Sequence, residues 1–462
     1  MSLIIKKNNQ LIHLLLIFFV FKVITLFALN ISTVPEDLGV RWQILYTDLL
    51  KSNLLSSLYN MHYQPPLWNL IYGIFIKIFG TDFNILAKCI HYFNIFISII
   101  SIYYFYKISE FLKLNSYQLK ITFFIFFIFS PGYLFYETIT HYTHLTTLLF
   151  AQLTYFFLRF SYDRSLKFEI IIYAVSLILV YTWTAFSHPL FIVTIYLGII
   201  FIKFKDNIAR SFLIFIISVL ISIIPSIKNK IKFDVFANSS WAGLQIIQVL
   251  QDWDNFDKCN FAIKDRLKEE NKFKKKYPQI NIDHPSLTGP LSGYNHIAFI
   301  EIAKECTKIG LDKVKQDPLY FLSKVKFNFI STHGHFSFDH VGWEPTNWNK
   351  YFGIFADLKE NKLTNQIKVR SLQLYYISIY VFFILLIFRN LLSINKQERY
   401  IHRGFCSISF VYFWLILVIH LLAGFEQERM RHTGHFLHIL FFLILLQNKF
   451  NIKSLYNKYF SF

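Results

Sequence analysis

The sequence predicts an all-α polytopic membrane protein, and three observations predict it. Of 462 residues, 54% are hydrophobic and only 16% are charged, where a soluble domain carries about 25% charge. The apolar residues arrive in blocks of about twenty, the length that crosses a hydrocarbon core of roughly 30 Å, and in lipid such blocks must be helices because no solvent pairs their backbone. The short loops between blocks are alternately rich in Lys and Arg and devoid of them, the alternation that the positive-inside rule produces.

Taken in order, Lys6 and Lys7 precede an apolar run at 11–29 that reads as a signal anchor. Further blocks lie near 84–106, 119–136, 141–160, 168–184, 188–204, 211–227, 372–388, 405–424 and 433–448, about ten spans in all. Loops near 107–120, 159–167, 203–210 and 389–403 are basic, as is the tail, whereas the turns near 131–140 and 185–187 carry no Lys or Arg. The basic set is therefore cytoplasmic. Counting back, the short block 65–79, which opens with Pro65-Pro66 and contains Lys77, is a helix lying on the outer surface. Both termini are then cytoplasmic. The expected organisation is a transmembrane module at 1–230 with a first outer loop at 30–82, an extracytoplasmic domain at 231–370, and C-terminal transmembrane helices at 371–462.

Within the first outer loop, Leu38, Trp42, Leu45 and Leu49 recur at helical spacing and predict one amphipathic interfacial helix. The outer domain mixes charge, aromatics and turn residues; only 296–328 reads clearly as helix. Cys89 and Cys406 fall in apolar blocks and Cys259 and Cys306 in the outer domain, with no CxxC and no zinc spacing. An oxidising compartment would permit a bridge between the outer two. The formal charge of +19 is scattered around the apolar blocks, so topology accounts for it and no nucleic-acid partner is expected.

Several constellations could carry chemistry. Glu36 and Asp37 sit just beyond the first span in VPEDLGVRWQILYTDLL. A carboxylate there can deprotonate an acceptor at the water–lipid boundary, or it can cap a helix. Arg429 and Arg431 fall in an outer turn, against the positive-inside trend; they suit a phosphate at the membrane surface, or pairing with Glu426, Glu428 or lipid headgroups. Lys228, Lys230 and Lys232 emerge at the outer face, where snorkelling also explains them. His141, His144 and His188 fall near outer helix ends, with a helix-break role for His188 before Pro189 as the plainer reading. His333, His335 and His340 cluster with Asp339 but match no standard zinc pattern. The stretch NSSWAGLQ at 238–245 reads as a sugar-contacting surface or as a capped junction into a helix.

The order of these motifs resembles the GT-C glycosyltransferases, in pattern the protein O-mannosyltransferases and the lipid A aminoarabinose transferase group. An acidic pair follows the first span. Gln64-Pro65-Pro66-Leu67 then leads into an amphipathic helix ending Phe79-Gly80, with SPGYLFYE at 130–137, SHPL at 187–190 and EQERMRHTGHF at 426–436 further on. The resemblance covers mainly 1–230 and the last two spans. This chain has Glu36-Asp37 where the family more often has Asp-Glu, Gln64 where a basic residue or His precedes the Pro pair, and Gly434-His435 where a Pro is expected.

The resemblance implies an extracytoplasmic glycosyltransferase of a bacterial cytoplasmic membrane. The donor is a polyprenyl-phosphate sugar and the acceptor a lipid, glycan or protein. Asp37 or Glu36 is the expected base, with substrate contacts from Arg41, His62, Gln64, Glu428, Arg429 and Arg431. No protein metal site is expected; the leaving phosphate is neutralised by Arg, Lys or a divalent cation. The competing readings are a membrane transporter or lipid or glycan flippase, for which an internal repeat would be expected and no convincing one is seen, and a non-catalytic membrane scaffold.

Overall fold

The computed structural model describes residues 2–35, 38, 44–203, 208–250, 266–280, 282–334, 400, 403–412, 414–415, 436, 438–439 and 443. Among these residues the chain is helical and contains no strand. Helix α1 (Ser2–Val23) continues through a π-helical turn at Ile24–Ala28. Helix α2 (Thr47–Asn60) is followed by α3 (Leu67–Phe79) and by α4 (Phe83–Phe111), which starts where the Asp82 carboxylate accepts from Asn84 N at 2.8 Å. An Asn115–Gln118 capping box opens α5 (Ser116–Phe123), and a π-helical turn at Phe124–Ile128 extends it. Helix α6 (Pro131–Glu137) is short, then come α7 (Thr143–Asp163), α8 (Leu166–Thr182), α9 (Pro189–Ile202) and α10 (Ala209–Phe233).

Three of these stretches are long and apolar enough to cross a membrane: Asn9–Ala28, Phe83–Phe111 and Ala209–Phe233. Helix α3, with 13 residues, reaches only about 20 Å and is too short to cross alone. It buries Trp68, Tyr72 and Ile76 against the bundle. Close helix approach holds part of that bundle together, as expected where lipid gives helices no hydrophobic reason to associate. At Gly198 an added Cβ would lie 3.1 Å from the Ser407 carbonyl, and Ser407 Oγ donates to the Gly198 carbonyl at 2.8 Å. A buried Lys203–Glu169 pair at 2.8 Å, with Ser211 on the same ammonium, joins α8, α9 and α10 near the same end of α9.

The first outer loop departs from the single amphipathic helix that its apolar spacing predicts. Tyr46 is extended (φ −54°, ψ 138°) and α2 begins only at Thr47. The physical reason is that Leu45 N donates to Asn69 Oδ1 at 2.8 Å, a tertiary bond that replaces a helical one. Leu38, Leu45 and Leu49 are all buried against protein rather than facing lipid.

The described part of the segment 231–370 has its own small cores. Helix α11 (Ala242–Leu250) and α13 (Ala298–Gln316) bury Leu244, Ile247, Phe299 and Ile302 together. Helix α12 (Arg266–Lys276) contributes Phe273 to a second cluster with Phe233, Ile297 and Ile300. The predicted helix at 296–328 is two helices, because Pro318 opens α14 (Pro318–Gly334) after the break at Asp317. Cys306, buried in α13, is disulfide-bonded, while Cys89 and Cys406 are free thiols. Cys259, His335, Asp339 and His340 lie outside the described residues.

Candidate functional site

The chain between α2 and α3, Asn60 to Pro66, is irregular yet buried from Asn60 through Pro65. Buried backbone without regular structure must find its partners elsewhere, and here they come from distant segments of the outer domain. His62 N donates to Asn295 Oδ1 at 2.9 Å, Ser240 N donates to the His62 carbonyl at 2.8 Å, and Ser239 Oγ donates to the Tyr63 carbonyl at 2.6 Å. Asn295 Nδ2 reaches the carbonyls of Asn60 at 3.3 Å and Ser286 at 2.8 Å. From the end of α10, Lys228 Nζ donates to the Met61 carbonyl and Lys232 Nζ to Asn60 Oδ1.

The His62 ring is held on both nitrogens. Nε2 lies 2.8 Å from the Asn295 carbonyl, which can only accept, so Nε2 carries the proton; Nδ1 then accepts from Ser240 Oγ at 2.7 Å. Phe233 packs edge-on, 5.2 Å between ring centroids. Burial, reinforced by the nearby Lys228 and His296, drives the imidazole pKa down to about 3, against the Asn295 hydrogen bond that raises it. The ring is neutral at physiological pH and clamps the segment after α2 to Ser240 and Asn295.

Two polar atoms of the same stretch have no partner. Gln64 Oε1 and Trp68 Nε1 are both buried and unbonded. An unsatisfied buried polar atom costs about 1–3 kcal/mol, which makes an acceptor and a donor at this position natural contacts for a polar ligand. Lys228 and Lys232 bring two side-chain amines beside it. Their partners are the Met61 carbonyl, the Asn60 amide oxygen, and the rings of Tyr59, 4.2 Å from Lys232 Nζ, and Phe233. None of these is a carboxylate.

Glu36, Asp37, Arg41, Glu428, Arg429 and Arg431 lie outside the described residues, so of the expected site residues the structure brings together His62 and Gln64. It also shows both flanks of the acidic stretch. Upstream, Thr33 Oγ1 lies 3.3 Å from His91 Nδ1 and Ile31 packs on Leu134. Downstream, the Leu45–Asn69 bond fastens the loop to the first turn of α3, directly after Gln64-Pro65-Pro66. Other sequence candidates have local duties. His188 caps α9 by accepting from Leu190 N at 3.2 Å, and His141 Nδ1 bonds the Thr143 hydroxyl at 2.7 Å where α7 begins. The stretch after Asn238 forms a capped junction, with Ser239 Oγ accepting from Trp241 N at 3.1 Å. Among the described residues no group of three or more His, Cys, Asp or Glu side chains could hold a metal.

A second polar centre went unread in the sequence. Lys22 of α1 pairs with Glu137 at the end of α6, and the two are 4% and 1% exposed. Ser98 of α4 reaches the other Glu137 oxygen at 2.5 Å and His144 Nε2 at 2.8 Å. The available signal was a lysine inside an apolar run, since intramembrane charges are rare and usually functional.

No protein-family model matches the chain, and neither a curated protein nor a solved structure does.

Proposed function

We propose that this protein is a GT-C-type glycosyltransferase, with about ten spans, acting on the outer face of a bacterial cytoplasmic membrane. The observation that carries the reading is the Leu45–Asn69 bond, which joins the loop following Glu36 and Asp37 to the helix following Gln64-Pro65-Pro66. Both bonded residues lie just downstream in sequence of motifs that carry the resemblance, the acidic pair and Gln64-Pro65-Pro66. The amines of Lys228 and Lys232, bonded to the Met61 carbonyl and the Asn60 amide oxygen and to no carboxylate, suit an anionic substrate beside the same segment.

In this reading Asp37, or Glu36, takes the proton from an acceptor hydroxyl or amine. The acceptor attacks the anomeric carbon of a polyprenyl-phosphate sugar from the face opposite the phosphate. The new bond to the anomeric carbon forms as the carbon–oxygen bond to phosphate breaks, and its electron pair leaves on the phosphate oxygen with inversion. Positive charge placed where that negative charge develops lowers the barrier; Lys228, Lys232, Arg429 and Arg431 are the cations this role would draw on, with Arg41, Gln64 and Glu428 as further substrate contacts. A divalent cation could supply the same charge.

The test is a transfer assay with purified protein and a panel of polyprenyl-phosphate sugars. Asp37→Asn is expected to lose about 10²–10⁴-fold in rate, the usual cost of removing a general base, with Glu36→Gln losing less. A larger loss in Glu36→Gln would exchange the two roles, and full activity in both variants would remove the acidic pair from the chemistry. The buried Lys22–Glu137 pair is the observation that favours the second reading, a transporter or lipid flippase, because charges inside a helix bundle also mark transport pathways.

A further inference from the structure

The Lys22–Glu137 centre is expensive to build, and its geometry indicates what it does. Taking an ammonium and a carboxylate out of water costs several kcal/mol per ion before their attraction is counted, so a pair retained at this depth calls for a specific role. The arms of the centre reach three other helices, α1, α4 and α7. Glu137 accepts from Lys22 of α1 and from Ser98 of α4, and its backbone carbonyl accepts from Asn94 Nδ2 of α4 at 2.9 Å. Asn94 Nδ2 also bonds the Ile139 carbonyl at 3.2 Å, fixing the turn after α6. Ser98 has one hydroxyl proton and gives it to Glu137, so toward His144 it accepts, and His144 of α7 carries its proton on Nε2.

From this centre a continuous path runs to the first outer loop. The Lys22 carbonyl accepts from Thr25 Oγ1 at 3.0 Å, and the Thr25 carbonyl accepts from Ile31 N at 2.9 Å. Ile31 then packs on Leu134 of α6, the helix that ends in Glu137. Two residues further, Thr33 bonds His91 of α4. The chain leaving α1 is thus fastened at Ile31 and Thr33 to the same helices that meet at Glu137. Glu36 and Asp37 follow Thr33 by three and four residues.

We propose that Glu137 is a positioning residue: by locking α1, α4, α6 and α7 at one point it sets where the first outer loop leaves the bundle, and so where the Glu36–Asp37 pair stands relative to the acceptor. The proposal rests on the transferase reading for its consequence in catalysis, and its anchoring half is measurable without it. A misplacement of about 1 Å at a catalytic group can cost on the order of 10²-fold in rate. Glu137→Gln keeps the shape and removes the charge, so kcat is expected to fall by that order while KM for the donor stays near the wild-type value.

The experiment pairs that measurement with one independent of activity. In the full chain, with Cys89 and Cys406 replaced by Ser, a Val34→Cys variant is labelled with a membrane-impermeant maleimide. Glu137→Gln is expected to raise the labelling rate by roughly tenfold or more, as local opening of the loop root becomes easier. Thr33→Val, which removes only a hydroxyl, makes the same comparison if the buried-charge variant fails to accumulate. Unchanged labelling in a folded Glu137→Gln or Thr33→Val protein would overturn the proposal whatever happens to the rate. A kcat loss matched by an equal rise in KM would also count against it. Faster labelling in a protein whose wild type transfers no sugar would leave the anchoring in place and overturn the transferase reading instead.

Discussion

Two of the buried polar regions among the described residues, around His62 and around Glu137, are built on opposite principles. Around His62 the partners are mostly backbone carbonyls and amides: those of Asn60, Met61, His62, Tyr63, Ser286 and Asn295. Around Glu137 two side chains converge on one carboxylate. The difference follows from the backbone at each place. An irregular buried segment needs outside groups to satisfy its amides, so polar residues there serve the fold. A helix satisfies its own backbone, so a lysine and a glutamate that meet inside a helix bundle answer only to each other and to function. The first joint is centred on a neutral imidazole, and the second centre on an ion pair.

That contrast sets the order of the expected effects. Lys22→Met should be the most damaging of the stability variants, by about 3–5 kcal/mol, because it leaves the Glu137 carboxylate buried and unpaired. Lys22→Met combined with Glu137→Gln should recover more than half of that loss, and thermal unfolding in detergent measures both; equal losses in the single and double variants would mean that the charges are not coupled. Asn295→Ala removes the acceptor of His62 N and the donor to two carbonyls, an expected loss of about 2–3 kcal/mol from groups left unsatisfied. A loss below that found at an exposed loop asparagine would break the account of the joint.

The pH dependence of the joint has a definite sign. His62 titrates near 3 in the fold and near 6.5 when unfolded. Between these values the unfolded chain binds the extra proton. The contribution is therefore complete above pH 6.5 and is lost as pH falls toward 3, at about 1.4 kcal/mol per unit. Replacing His62 by Phe should flatten that part of the stability profile, and a profile identical to wild type would rule out His62 as its source. The smallest effect belongs to the exposed Lys230–Asp234 pair, where the carboxyl is held below its usual range first by its hydrogen bond from Lys230. Asp234→Asn should change stability by less than about 0.5 kcal/mol, because solvent screens such pairs.

Much of the helical layout is legible in the sequence because it is written in local composition. The apolar blocks at 11–29, 84–106 and 211–227 correspond to Asn9–Ala28, Phe83–Phe111 and Ala209–Phe233. The short block after Pro65-Pro66 is a helix too short to cross alone. What composition cannot show is pairing across the chain. His62 and Ser240 lie 178 residues apart, His62 and Asn295 233, and Lys22 and Glu137 115. The same reason explains why no single helix runs on through Leu45 and Tyr46 to Leu49: the spacing of the leucines is genuine, but Asn69 competes for the amide of Leu45. The motif made Gln64 a candidate, whereas its unbonded, buried oxygen emerges only in three dimensions.

The transferase and flippase readings part most directly in sealed vesicles containing only this protein, one polyprenyl-phosphate sugar and an acceptor, with no nucleotide present. Mass spectrometry of both lipid and acceptor follows the sugar. The account predicts one polyprenyl phosphate released for each sugar joined to the acceptor, with the product inverted at the anomeric carbon and the yield abolished by Asp37→Asn. Intact donor moved from one leaflet to the other, with no polyprenyl phosphate released and no difference between wild type and Asp37→Asn, would contradict it.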